Sequence, residues 1–259
     1  MLKTYRIISL VFILFFIIIS FSFFNAFSDS RFGELTEMRD ERMRGKDGLW
    51  VRPHPGPFIW NHIEKEKLVF IPQGFDKNVH YPRHTFQQKE RKVLFIGLYE
   101  PSRGNVIKAL LDHNIKVEVA GKNWMPFINA QNSANLKFLG EGLFNDAYAK
   151  AISSAHISLG LVSKRFPELH TTRTFEIPAC GTVLVTERNT ETLQFFNEDE
   201  VLFFSNEAEM VDKISVLLLD DEALQQISQK GHLRATTSGY DYQSQLLHIC
   251  SNIGLSNND

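Results

Sequence analysis

The residues able to do chemistry in this 259-residue chain fall mainly in two stretches. The first is His170 to Glu187, HTTRTFEIPACGTVLVTE. A polar turn with Thr171, Thr172 and Arg173 leads into a short apolar segment that stops at Ala179-Cys180-Gly181 and continues as a β-branched run. That order predicts turn, helix, turn, strand. The first turn of a helix leaves backbone N–H groups unpaired and carries the positive end of the helix dipole, so Thr172 and Arg173 form a cradle for an anion, phosphate foremost. The second stretch is GLYEPSRGN, where Gly97 opens a loop and Arg103 stands at the start of the next helix. Arg103 there suits a diphosphate; a solvated surface charge is the competing reading.

Two carboxylates accompany these cations. Glu168 and Glu176 have seven residues between them. Pro167 and the polar run after it place Glu168 in a loop and Glu176 inside the following helix, so both can approach one ligand. A carboxylate accepts from two adjacent hydroxyls, so Glu176 suits a ribose diol and Glu168 a sugar hydroxyl. Pairing of Glu176 with Arg173, one helical turn away, fits the same spacing. His170, in the same loop, is a candidate for a donor or acceptor contact or for a general base. His156, at the start of a strand, reads as a core or edge histidine.

These residues need a scaffold, and from Lys67 onward the sequence supplies one. Short apolar runs are expected as strands at Leu68–Ile71, Lys92–Ile96, Lys116–Ala120, Asn135–Leu139, His156–Leu161, Thr182–Thr186 and Val201–Phe204. Helical patterns occupy Ser102–His113, Phe144–Ser153, Thr172–Ala179, Thr190–Phe196, Glu207–Leu219, Asp221–Thr236 and Tyr240–Asn252. Near-continuous apolar strands alternating with helices predict an α/β fold, a Rossmann-like parallel sheet covered on both faces. Ligands in such sheets sit outside the carboxyl ends of the strands, which is where both stretches fall.

Composition bounds the rest. Apolar residues make up 43% and charged residues 22%, as in ordinary globular proteins, and the net charge is −2 with no long basic stripe, which argues against a nucleic-acid partner. Cys180 and Cys250 have no metal-ligand spacing, and no D-x-D triplet occurs, so no metal site is expected. Residues 7 to 24 are apolar apart from Ser9, Ser20 and Ser22. As a helix such a run would span roughly 27 Å, enough for a membrane anchor, with a cleaved signal peptide as the rival. Lys3 and Arg6 precede it, against Arg31, Arg39, Arg42, Arg44 and Lys46 after it. Positive-inside counting therefore puts the following domain on the cytoplasmic side of a single-pass anchor. The expected organisation is an anchor over 1–28, a juxtamembrane linker over 29–66 with a short helix near Leu35 to Arg44, the sheet domain over 67–252, and a tail over 253–259.

FIGLYEPSRGNVIKALL, the later GKNW, and RTFEIPACGTVLVTE followed by ETLQFF and VLFFSNEAEMVDKI resemble the C-terminal, donor-binding domain of group-one glycosyltransferases, closest to the spore-maturation-like branch. The likeness runs over roughly Leu68 to His248, with IPQGFDKNVHYP leading into it. It implies the donor-binding half of a GT-B fold, a nucleotide-diphosphate sugar as co-substrate, no cofactor and no metal. On matching positions it implies Arg103 (with Gly97 at its loop) at the diphosphate, Thr172 and Arg173 at the phosphates, Glu176 on the ribose, and Glu168 as the first acid of an E-x7-E pattern beside the donor sugar. Leu98 stands where many members have Arg. Residues 29–66 are too few for the acceptor-binding domain such enzymes carry, so the acceptor (a glycan, lipid or protein) or a partner chain supplying that domain is left open. The alternative to a transferase is a non-catalytic half-domain that binds nucleotide sugar.

Overall fold

The computed structural model describes residues 71–165 and 168–252, which belong to one compact unit. The expected anchor, the linker and the 253–259 tail lie outside the described residues. So does the expected strand at 68–71, apart from Ile71, which is not in a strand. Among the described residues no helix is long and apolar enough to cross a membrane.

The elements in chain order are β1 (Glu90–Ile96), α1 (Pro101–Asp112), β2 (Val117–Ala120), α2 (Met125–Gln131), β3 (Leu136–Phe138), α3 (Asn145–Ser154), β4 (Ala155–Leu159), α4 (Arg173–Ala179), β5 (Val183–Glu187), α5 (Thr192–Phe195), β6 (Leu202–Phe204), α6 (Glu207–Leu217), α7 (Asp221–Thr237) and α8 (Tyr242–Asn252). Among the described residues a 3-10 turn, Phe86–Gln88, precedes β1. Six expected strands and seven expected helices are present, with ends moved by at most two residues. The helix α2 was not expected. Pro126 in its first turn and its seven-residue length weaken the 3.6-residue signal, and Asn132 ends it in a left-handed conformation at φ 41°.

The sheet is wholly parallel in the order β3-β2-β1-β4-β5-β6. Alternation along β1 shows how it is covered. Val93 and Phe95 enter one core with α1, α2 and α6; Leu94 and Ile96 enter a second with α3 and α4. Because both faces are buried, the strands read as unbroken apolar runs. The sheet order reverses between β1 and β4, and the crevice above their carboxyl ends is where a doubly wound sheet takes its ligand.

Candidate functional site

Strand β1 ends at that crevice with Phe95, fully buried, and Ile96, after which Gly97 begins the loop to α1. A Cβ on Gly97 would come within 2.8 Å of the Phe95 ring, so glycine lets the chain turn over the ring. The Trp124 indole N–H donates to the Gly97 carbonyl at 2.8 Å and fixes the turn from the side.

Two guanidinium groups meet over Phe95, from helices on opposite faces of the sheet. Arg103, on α1, lies 5.5 Å from the ring centroid, and Arg173, at the start of α4, lies 5.8 Å from it. Both donate to the Leu161 carbonyl beyond β4, at 3.5 Å and 3.3 Å, and Arg103 also donates to the Leu98 carbonyl at 2.9 Å. Burial pushes the Arg103 pKa down, and the carboxylates of Glu100, Glu168 and Glu187 oppose that while Arg173 adds to it. The Nε atoms of both arginines and the hydroxyl of Thr171 are buried without a hydrogen-bond partner among the described residues. Unpaired donors in a buried cationic site are costly unless a ligand takes them.

Glu100 completes this cluster and was not singled out from the sequence. It is 3% exposed and occupies the N-cap position of α1 without capping that helix. Its carboxylate instead accepts from the Ser163 hydroxyl at 2.8 Å and the Lys164 backbone N–H at 3.2 Å, and sits 3.2 Å from Arg103 Nη1. Lys164 in turn pairs with Glu187 at the end of β5. On the α6 side, a cleft of about 410 Å³ opens beside Arg103, lined among others by Ser102, Leu161, Lys164, Glu187 and Asn206.

Glu176 faces the other core. It is buried, accepts from the Tyr148 hydroxyl at 2.5 Å through Oε2, and has His80 Nε2 at 3.6 Å from Oε1. These partners, rather than Arg173, are the ones it meets. Burial first, then the adjacent carboxylate, raises the Tyr148 pKa well above that of a free phenol, so the hydroxyl stays a donor. Thr172 is half-buried with a helical backbone and makes no side-chain cap bond, so α4 begins without a conventional cap. Glu168 is half-buried in the loop above β4, near enough to favour the charged form of Arg103.

His170 is placed differently from the phosphate residues. It is 5% exposed; its Nε2 accepts from the Gln73 backbone N–H at 2.9 Å, and its Nδ1 lies 2.6 Å from the Glu191 carboxylate. An Nε2 that accepts carries no proton, so the ring is neutral with its proton on Nδ1, donated to Glu191. Asn189 backs the same loop, donating to the Leu169 carbonyl at 2.8 Å. His156 lies buried in β4, edge-on to Phe86 with centroids 4.7 Å apart, as expected of a core histidine. No group of three or more His, Cys, Asp or Glu among the described residues is arranged to hold a metal ion.

The model of a family described as glycosyl transferase-like matches residues 103–251, more than half of the chain. Among solved structures the fold is similar to that of Anabaena Alr3699/HepE in complex with UDP and glucose, with TM-score 0.60 and 16% identity over 76% of this chain and 59% of that one. It is also similar to sucrose-phosphate synthase from Thermosynechococcus elongatus, with TM-score 0.56 and 16% identity over 71% of this chain and 51% of that one. A third is AviGT4, a glycosyltransferase involved in avilamycin A biosynthesis, with TM-score 0.52 and 19% identity over 71% of this chain and 57% of that one. The chain thus spans between about half and three fifths of the length of these proteins. A search of the curated proteins gave no match. At these identities the shared feature is the fold.

Proposed function

This chain belongs to the glycosyl transferase-like family, and from that membership we propose that it binds a nucleotide-diphosphate sugar and transfers the sugar to an acceptor without a metal ion. The observation that carries the reading is the gathering of buried Arg103 and half-buried Arg173 over Phe95 at the sheet's switch point, with the buried Nε–H of each unpaired among the described residues. Neither a core nor a solvated surface explains two guanidinium groups gathered on one ring. A diphosphate supplies the acceptors they lack.

In this reading Arg103 and Arg173 hold the two phosphates, with Thr171 and Thr172 beside them at the start of α4. Gly97 lets the β1 loop pass close to the diphosphate. Glu176 takes the ribose diol through Oε1, while Tyr148 holds Oε2. Glu168 faces the donor sugar. The acceptor hydroxyl oxygen forms its bond to the anomeric carbon as the bond from that carbon to the diphosphate oxygen breaks, and its proton passes to the departing diphosphate. The electron pair leaves with the nucleoside diphosphate, and the two guanidinium groups stabilise the charge that builds there. His170 positions the loop through Gln73 and Glu191 rather than moving a proton. The HepE structures that share the fold were obtained with UDP and with UDP-glucose, which supports a nucleotide-sugar donor here.

The test is direct. Purified protein is titrated calorimetrically with uridine, guanosine and adenosine diphosphate sugars, and nucleoside diphosphate release is followed with an acceptor panel. Arg173→Ala is expected to lower donor affinity by about 10–100-fold, the loss of one charge-assisted contact. Absence of binding to every nucleotide sugar sinks the reading. Binding without release across the panel favours a second reading, a donor-binding half-domain whose acceptor surface comes from a partner chain, consistent with a single sheet unit among the described residues.

A further inference from the structure

We propose that Glu100 is the positioning residue of the diphosphate subsite: its buried carboxylate ties the Arg103 guanidinium to the Ser163 hydroxyl and the Lys164 backbone N–H, so that Arg103 meets the phosphates in one preset orientation. The inference rests on the donor reading above.

An acidic residue before Pro101 at the start of a helix is normally explained as a cap or as a favourable charge at the positive end of the dipole. Glu100 makes no side-chain cap bond. Its oxygens instead take Ser163 Oγ at 2.8 Å and Lys164 N at 3.2 Å from the loop beyond β4, and lie 3.2 Å from Arg103 Nη1 in the first turn of α1. Ser163 and Lys164 lie 63 and 64 residues further along the chain, in the loop beyond β4, so one carboxylate joins the two loops that flank the switch point. At 3% exposure it is covered by these partners and does not itself face a ligand. Arg103 then has Nη1 on Glu100 and the Leu98 carbonyl and Nη2 on the Leu161 carbonyl, while its Nε–H is left over. A long flexible side chain held at both ends has already lost its rotamer freedom, so binding does not have to freeze it.

Charge and position make opposite predictions for this residue. Glu100 is an anion beside an anion-binding arginine, so as a charge alone it weakens phosphate binding, and neutralising it would tighten the complex. As a positioning group it strengthens binding, and neutralising it loosens the complex although the site becomes more cationic. The sign of the effect therefore separates the two roles.

The experiment is calorimetry on the full chain with uridine diphosphate, uridine monophosphate and inorganic pyrophosphate, for wild type, Glu100→Gln and Ser163→Ala. Glu100→Gln is expected to weaken uridine diphosphate and pyrophosphate by about tenfold or more, uridine monophosphate by less, and thereby to shrink the preference for two phosphates over one. Ser163→Ala, which keeps the carboxylate but removes one donor to it, is expected to move the same ratio by about threefold. It also decides the matter should Glu100→Gln fail to fold: an unchanged ratio in Ser163→Ala overturns the proposal. Equal or tighter pyrophosphate binding by a folded Glu100→Gln overturns it while the donor reading stands. A uniform loss across the three probes overturns it in favour of a general structural role. Wild-type protein that binds none of the three overturns the donor reading and this inference together.

Discussion

At the scale of single residues, the site divides into groups whose partners leave something to bind and groups whose partners do not. Arg103, Arg173 and Thr171 keep unpaired polar atoms in a buried place, whereas His170 has both ring nitrogens engaged, by Gln73 and Glu191. His170→Ala is therefore expected to act on stability. Loss of two buried hydrogen bonds and of packing against Phe195 should cost about 2–4 kcal/mol, read as a lower urea midpoint with unchanged m value. A purely catalytic histidine would leave that midpoint in place. The arginines were legible in the sequence because each stands in the first turn of a helix whose preceding loop leaves a strand's carboxyl end, a position with a known chemical use. Glu100 and Tyr148 were not, because the contacts that define them are tertiary. Glu100 reads locally as a helix cap, and Tyr148 as one member of an amphipathic helix, until the chain brings Ser163 and Glu176 to them.

At the scale of elements, the loop that leads from β1 to Arg103 is shaped by glycine where strands β1 and β2 end side by side. Gly121 has φ +134°, and a Cβ there would lie 2.1 Å from the Gly97 carbonyl oxygen, an atom of the backbone that cannot swing away. Gly121→Ala is expected to cost more than about 3 kcal/mol, combining a forbidden dihedral with a backbone clash, and to lower the thermal midpoint and donor affinity together. Gly140→Ala, where φ is +120° but nothing lies within 4 Å of the added Cβ, supplies the control for dihedral strain alone. The strands could be read from the sequence because burial on both faces turns them into apolar runs such as KVLFI. Their spatial order could not, since it depends on which side of β1 each crossover returns to. The unexpected α2 shows the same limit: its Trp124 and Phe127 pack with Tyr99 in an aromatic cluster, and that packing, rather than helical periodicity, holds it.

At the scale of the whole molecule, the amino ends of the strands lie opposite the ligand crevice, and Lys89 stands among them. Just before β1, its ammonium donates to the Ser153 carbonyl at 2.7 Å and the Thr182 hydroxyl at 3.0 Å, and burial lowers its pKa from 10.5 to about 8. Above that pH the folded chain holds fewer protons at this site than the unfolded chain, so stability rises as pH climbs from about 8 towards the unfolded value. Urea unfolding at about pH 7 and about pH 9.5 should show wild type gaining on the order of 1–2 kcal/mol over Lys89→Met across that interval. An equal pH response in the two proteins would remove Lys89 as the cause. The sheet also has a consequence at its flanks. Among the described residues its outermost strands, β3 and β6, are only three residues long, while the longest strand, β1, is enclosed between neighbours. An incoming strand would find almost no ladder to extend on either side, so the fold that gathers its long strands around a ligand also protects itself against self-templated fibre growth.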